Sequence, residues 1–136
     1  MRVMVFVKAT ADSEAGDMPD PEMFEAMGRY NQQLIEAGIL KDDNCAGLKP
    51  TSNAKRIAFN GKDRKVINGP FKATNEIVAG FWVWEVKDMN EAVEWVKNCP
   101  NPMPGPSEIE IRPFYEMEDF EGMMSPEAKK LHQKKA

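Results

Sequence analysis

Histidine, cysteine and long apolar runs are scarce in this chain. One histidine, His132, occurs in 136 residues, four positions from the end. A histidine on a solvated chain end lacks the dry, positioned surroundings a general base requires. Two cysteines, Cys45 and Cys99, cannot form a disulfide framework, and no CxxC pair is present; both are read as plain thiols of a reducing compartment. With one histidine and scattered cysteines, no metal site of the His/Cys type is expected. No apolar run approaches the roughly 20 residues needed to cross a bilayer, and the opening MRVMVFVKA is too short for a secretory signal before acidic residues begin. The expectation is a cytoplasmic protein with no membrane association. Glycine-rich phosphate loops are missing too: Asn60-Gly61 and Asn68-Gly69 are turn signals, and neither opens a helix. There is no GxSxG elbow. Cations are outnumbered, with 18 Lys and Arg against 22 Asp and Glu and a net charge of −4. This excludes an overall basic footprint and, with it, nucleic acid as a main partner. The one basic cluster, Lys129, Lys130, Lys134 and Lys135, suits a solvated helix C-terminus.

What is present is an ordinary globular pattern. Residues 2–9 alternate Val3, Val5 and Val7 with Met4 and Phe6, an interior strand apolar on both faces. Residues 9–22 read as loop, and within them Asp20-Pro21 opens a helix, because Asp caps and Pro costs nothing at the first helical position. Met23, Phe24, Met27, Leu34 and Ile35 form its apolar stripe, with Tyr30 at the edge, and Gly38 ends it. The polar stretch 39–54 holds at most a short strand near 46–48. Lys55–Phe59 and Arg64–Ile67 read as a hairpin joined by the tight turn Asn60-Gly61-Lys62-Asp63, with Asn-Gly a favoured hairpin pair. Val78–Val86 is the most hydrophobic strand, with Phe81 and Val83 facing one way and Trp82, Trp84 and Val86 the other. Asp88 and Glu91 have capping-box spacing for a helix carrying Met89, Ala92, Val93 and Val96 with Trp95 beside it. After the stiff NPMPGP linker, Ser107–Phe114 alternates as a last strand, with Ile109 and Ile111 on one face and Glu110, Arg112 and Phe114 on the other. An acidic stretch (Glu116, Glu118, Asp119, Glu121) leads to a short terminal helix opened at Ser125-Pro126.

The order β–α–(β-hairpin)–β–α–β predicts an α+β fold of ferredoxin-like type, with both helices on one sheet face. The domain is placed at 1–115, followed by the acidic segment and short helix of 116–136. The other sheet face carries apolar side chains that need a cover. The simplest cover is a second copy, so a homodimer packed sheet to sheet is expected.

The stretch VINGPFKATNEIVAG concentrates turn chemistry and polarity just before the aromatic strand. A few convergent polar groups beside aromatic side chains is how small-molecule sites are often built. On that reading Asn68, Phe71, Thr74, Trp82 and Arg112 bind an unknown small molecule. Glu76 is the carboxylate available for catalysis, tuned by burial beside Trp82. The same residue types also make purely local turn bonds, and Arg112 can equally be a structural partner of Glu110, Glu85 or Glu76.

The run from Val66 to Pro100 resembles the DGPF-domain proteins, which are related to the YCII-like family. The hallmark Asp-Gly-Pro-Phe corresponds to Asn68-Gly69-Pro70-Phe71. Ala73 to Glu76, Gly80-Phe81-Trp82, Glu91-Ala92 to Trp95 and Cys99-Pro100 follow the same pattern, and MRVMVFVKA and EIEIRPFYEMEDF match at the two ends. The resemblance implies a dimeric α+β barrel of a broadly uncharacterised family. No cofactor is expected, and the source is read as bacterial. For some relatives it implies a His–Asp pair in a cleft. It also implies the alternative of a non-catalytic regulatory or protein-interaction role, since some members accompany extracytoplasmic-function sigma factors. Three departures bear on chemistry. Asn68 keeps the turn but cannot take up a proton, Asn75 stands where the pattern has Lys, and no histidine lies in the body of the domain.

Overall fold

A computed structural model describes residues 1–72 and 74–133. Ala73, Lys134 and Lys135 therefore lie outside the described residues. Among the described residues six strands and four helices follow in order: β1 (Arg2–Lys8), α1 (Ala11–Glu14), α2 (Pro21–Glu36), β2 (Leu40–Gly47), β3 (Lys55–Asn60), β4 (Asp63–Asn68), β5 (Val78–Glu85), α3 (Met89–Lys97), β6 (Ile109–Pro113) and α4 (Pro126–Gln133). Strands β1, β2, β5 and β6 form one antiparallel sheet in the order β2-β5-β1-β6. With α2 and α3 as the crossovers, this is the ferredoxin-like α+β arrangement.

Alternation along β1 and β5 builds the core. Val3 pairs with Trp84 and Val5 with Trp82, and these four side chains are buried. Both α2 and α3 pack on that face, through Met27, Tyr30 and Leu34 from one and Met89, Ala92, Trp95 and Val96 from the other. The buried stripe of α2 follows the 23-27-30-34 spacing. Tyr30 is therefore at its centre, 3% exposed, whereas Phe24 and Ile35 fall off the stripe and are exposed. The Tyr30 hydroxyl donates to the Trp95 carbonyl at 2.6 Å, and its ring packs edge-on against Trp82 and Trp95. Trp84 is fully enclosed, and its indole N–H finds no acceptor among the described residues.

The helix signals operate as expected. Asp20 accepts from Met23 N at 2.8 Å ahead of Pro21, and Asp88 accepts from Glu91 N at 2.9 Å. Gly38 takes φ +74° after α2, the left-handed conformation that ends helices. Ser125 accepts from Ala128 N at the start of α4.

Three elements differ from expectation. The polar run 40–47 is a full edge strand, β2. It lacks alternation because Lys41–Asn44 bulge out opposite Val83, between the pairs Leu40–Trp84 and Cys45–Trp82. Asp42 and Asp43 supply the positive φ values of 54° and 52°, which Asp tolerates better than most residues. The hairpin β3–β4 is not part of the main sheet; it forms a two-stranded sheet of its own. Its loop residues are Gly61 and Lys62, between the paired Asn60 and Asp63. Only Gly61 has positive φ, as in a type II′ turn, and the loop lies within the Asn60–Asp63 turn read from the sequence. Residues 11–14, expected as loop, form a helical turn closed by a Thr10–Ser13 capping box.

The face of the sheet opposite the helices carries Met4, Phe6, Phe81 and Val83, each half-buried, together with Glu110 and Arg112.

Burial holds the Tyr30 phenol far above its ordinary titration range. Because the folded-state pKa is raised, the folded protein keeps a proton that the unfolded chain loses above about pH 10, so stability falls as pH rises past that point. Tyr30→Phe is expected to cost about 1 kcal/mol at neutral pH. The loss is small because the Trp95 carbonyl still accepts from Asn98 N. The variant should also lose less stability in alkali than the wild type. Urea midpoints at pH 7 and pH 11 check both statements.

Candidate functional site

The end of the sheet where β1 finishes and β5 begins gathers most of the polar chemistry. Its centre is Thr51, in the 3₁₀ turn Thr51–Asn53 and only 8% exposed. Glu14, at the end of α1, accepts from the Thr51 backbone N–H at 3.0 Å and from its hydroxyl. The same hydroxyl accepts from Phe71 N at 3.0 Å. Gly69 N donates to the Ala54 carbonyl, and the Gly69-Pro70 bond is cis. A Cβ at Gly69 would sit 1.7 Å from the Thr51 carbonyl oxygen. Glycine is required there by backbone against backbone. The Asn68–Phe71 turn is thereby fastened to Thr51, and through it to Glu14. Arg56 from β3 lies over the Phe71 ring, 3.8 Å from its centroid, and Lys55 donates to the Asn68 side chain at 2.6 Å.

The chain next makes the 3₁₀ turn Thr74–Glu76 and is drawn against β1 by Ala9 N donating to the Ile77 carbonyl at 2.8 Å. Lys8 N donates to the Glu108 carbonyl at 3.0 Å on the other side. Between these two tethers lies a cleft of about 200 Å³, lined by Lys8, Ala9, Thr10, Asn75, Pro106, Ser107 and Glu108. The Lys8 ammonium lies 3.4 Å from Glu110. Ser107 and Glu108 also belong to a second cleft of about 220 Å³ beside Cys99, Pro100 and Asn101. Asn101 organises the linker between them, accepting from Met103 N and the Ser107 hydroxyl and donating to the Gly105 carbonyl.

The six residues read from the sequence as a site are divided among four places. Asn68 and Phe71 meet at the Thr51 junction, where Asn68 closes the hairpin opposite Lys55. Thr74 and Glu76 share one 3₁₀ turn, with Thr74 half-buried and Glu76 exposed. Trp82 is in the helix-covered core, its indole N–H donating to Asn31 at 2.8 Å. It does not provide the dry neighbour proposed for Glu76. Arg112 is on the opposite sheet face, its side chain 71% exposed and 3.9 Å from Glu110. Trp82 and Arg112 point to opposite faces of one sheet, so within one chain they do not line a common cleft.

Sequence reasoning passed over Glu14, Thr51 and Lys8. Thr51 and Glu14 sit in segments read as loop, 37 residues apart, and no local spacing marks their contact. Lys8 was legible only as the polar end of a strand. Asn75, within the stretch that drew attention, is the residue that does line a cleft. Among the described residues no cluster of three or more His, Cys, Asp or Glu could hold a metal ion. No described helix is long and apolar enough to cross a membrane.

Gly69→Ala is expected to destabilise the fold by about 3 kcal/mol or more, since the opposing atom is a backbone oxygen that cannot rotate away; a melting temperature within a degree of wild type would refute the close contact. Burial pushes the Cys99 thiol up to about 11 and raises Cys45, which also faces Asp43. At pH 8 Cys99 should react with iodoacetamide about a hundredfold more slowly than free cysteine, because the thiolate is the nucleophile. Mass spectrometry of labelled Cys99 peptides over time measures this, and equal rates would contradict it.

The chain is 27% identical over 95 residues to an uncharacterised protein of Rhizobium meliloti (strain 1021), covering 70% of this chain and 75% of that protein. The model of the YCII-related domain matches residues 1–117, from β1 through β6 and into the acidic segment, and with that extent of match the chain belongs to the YCII-related domain family.

Proposed function

We propose that this protein binds a small carboxylate-bearing molecule in the cleft between the end of β1 and the Thr74–Glu76 turn. The carrying observation is the meeting of Lys8, Asn75 and Ser107 from three separate segments around about 200 Å³. The Lys8 ammonium and the Asn75 amide at one place suit a carboxylate, which accepts from both donor types, while the Ser107 hydroxyl is committed to Asn101 and forms part of the wall. A site of this size suits a few heavy atoms, below the usual range for larger ligands. Ligand binding fits the residues better than acid–base catalysis. Glu76, beside Asn75, and Glu108, in the cleft wall, are both exposed, and a general acid or base at neutral pH requires a drier setting.

The working form in this reading is a homodimer packed through the Met4, Phe6, Phe81 and Val83 face, in the cytoplasm of a bacterium. The half-buried apolar side chains of that face support the dimer, and the free thiols Cys45 and Cys99 suit a reducing compartment. The cleft reaches the same side of the sheet, since Lys8 continues the alternation of Met4 and Phe6 and pairs with Glu110.

Thermal-shift measurements against a panel of small mono- and dicarboxylates test the binding. At a ligand concentration of 100 times Kd the fold gains about 2.7 kcal/mol, visible as a rise in melting temperature. Lys8→Met should abolish the rise and Asn75→Ala should reduce it. A panel in which no carboxylate shifts the wild type, or in which Lys8→Met shifts as much as wild type, would overturn the reading.

A further inference from the structure

The hairpin β3–β4 is the most anomalous surface of the molecule. Every residue in its two strands is exposed. One face presents Ile57, Phe59 and Val66, exposed by 47%, 71% and 55%, and the register places Ile57 opposite Val66 and Phe59 opposite Arg64. The Arg64 guanidinium lies 4.4 Å from the Phe59 ring centroid. A two-stranded ribbon with no packed face is at best marginally stable on its own. Its charge is also out of keeping with the chain. Lys55, Arg56, Lys62, Arg64 and Lys65 stand against the single Asp63, a local balance of +4 within a protein of −4.

The compensating charge lies at the other end of the sheet. The hairpin leaves from the end where β1 and β2 finish and β5 starts. The segment carrying Glu116, Glu118, Asp119 and Glu121 follows β6 at the opposite end, where Arg2 at the start of β1 holds Glu116 at 3.1 Å. Two copies packed sheet to sheet by a two-fold axis have two options. An axis along the strands brings hairpin to hairpin, setting like charges together. An axis across the strands brings each hairpin to the acidic end of the other copy. Opposite charges favour the second, and a two-fold axis repeats the contact twice. A six-residue strand spans about 20 Å, enough to reach past the edge of one sheet to another chain.

We infer that β3–β4 is a dimerisation arm: its Ile57, Phe59 and Val66 face lies on a second copy of this chain, and its cations engage that copy's 116–121 acidic segment. This rests on the sheet-to-sheet dimer proposed above. It adds the orientation of the two chains and identifies the hairpin as the element that sets it.

A charge swap tests it. One variant carries R64E and K65E; another carries E118K and D119K. All four positions are exposed, and circular dichroism should match wild type. In either variant alone, the attraction is cancelled and like charges meet at the swapped positions of both contacts, so each homodimer should weaken by about tenfold or more at low salt. Mixed together, the two variants restore opposite charges at both contacts and should form a heterodimer about as tightly as wild type forms its homodimer. Sedimentation and native mass spectrometry of the mixture read this. A second measurement uses the wild type alone: zero-length carbodiimide cross-linking of mixed light and heavy isotope-labelled protein should join Lys62 or Lys65 of one chain to Glu118 or Asp119 of another. If wild type is dimeric but the variants dimerise unchanged without preference for each other, the arm is refuted and the dimer stands. A wild type that is monomeric at micromolar concentration refutes both. If wild type instead binds anionic phosphatidylserine vesicles through this hairpin, with R64E/K65E losing that binding and dimerising normally, the occupant is a lipid surface and the inference fails.

Discussion

The antiparallel pairing of β1 with β5 is the contact on which everything else rests. It places Val3 against Trp84 and Val5 against Trp82 on one face, and that face is the platform for both long helices. Because the strands run in opposite directions, the start of β5 lies beside the end of β1. The polar segment that precedes β5 is thereby delivered to the place where β1 gives way to α1. The Ala9–Ile77 hydrogen bond continues the ladder past the last strand residues and carries Asn75 to the cleft wall. Shifting this register by one residue would turn the tryptophans to the open face and remove the support of the cleft at once.

The turn ahead of β5 shows why so much turn chemistry is concentrated in a few residues. Two backbones meet at Gly69 and Thr51, and only glycine leaves room. The Thr51 hydroxyl serves two partners, donating to Glu14 and accepting from Phe71 N. A buried hydroxyl with both capacities used avoids the cost of an unpaired polar group. The hairpin base is held from outside by Arg56 on Phe71 and Lys55 on Asn68. Asn68 therefore has a structural partner: its side-chain oxygen accepts from Lys55 and holds the base of the hairpin.

Much of the fold was legible because local rules and tertiary structure agree in these elements. The alternation of β1, the Asp20-Pro21 helix start, the Asp88–Glu91 cap and the two-sided apolar character of Val78–Glu85 all express contacts within a few residues. The edge strand β2 was not legible. Its bulge at Lys41–Asn44 breaks the period of two, and a polar edge strand is held by backbone bonds to β5 more than by its side chains. The hairpin was recognised but misplaced, because strand pairing within a hairpin is local whereas membership of a sheet is not. Tyr30 was put at the edge of a stripe that the observed 23-27-30-34 spacing makes its centre.

For the site, the sequence by itself determined the chemical types present: no histidine in the body, an amide at Asn68, and a run of small polar residues ahead of aromatic ones. It also determined the strands and helices whose hydrogen bonds and caps are made by near neighbours. Only the tertiary structure decided which of those groups meet. It separated Trp82 from Arg112 by the thickness of a sheet, and it brought Lys8, Asn75 and Ser107 to one cleft across about a hundred residues of chain. It also joined Glu14 to Thr51. The reason is physical: side-chain alternation and capping depend on separations of two to four residues, whereas a cleft depends on which strand ends are neighbours, and that follows from burying the whole apolar set at once.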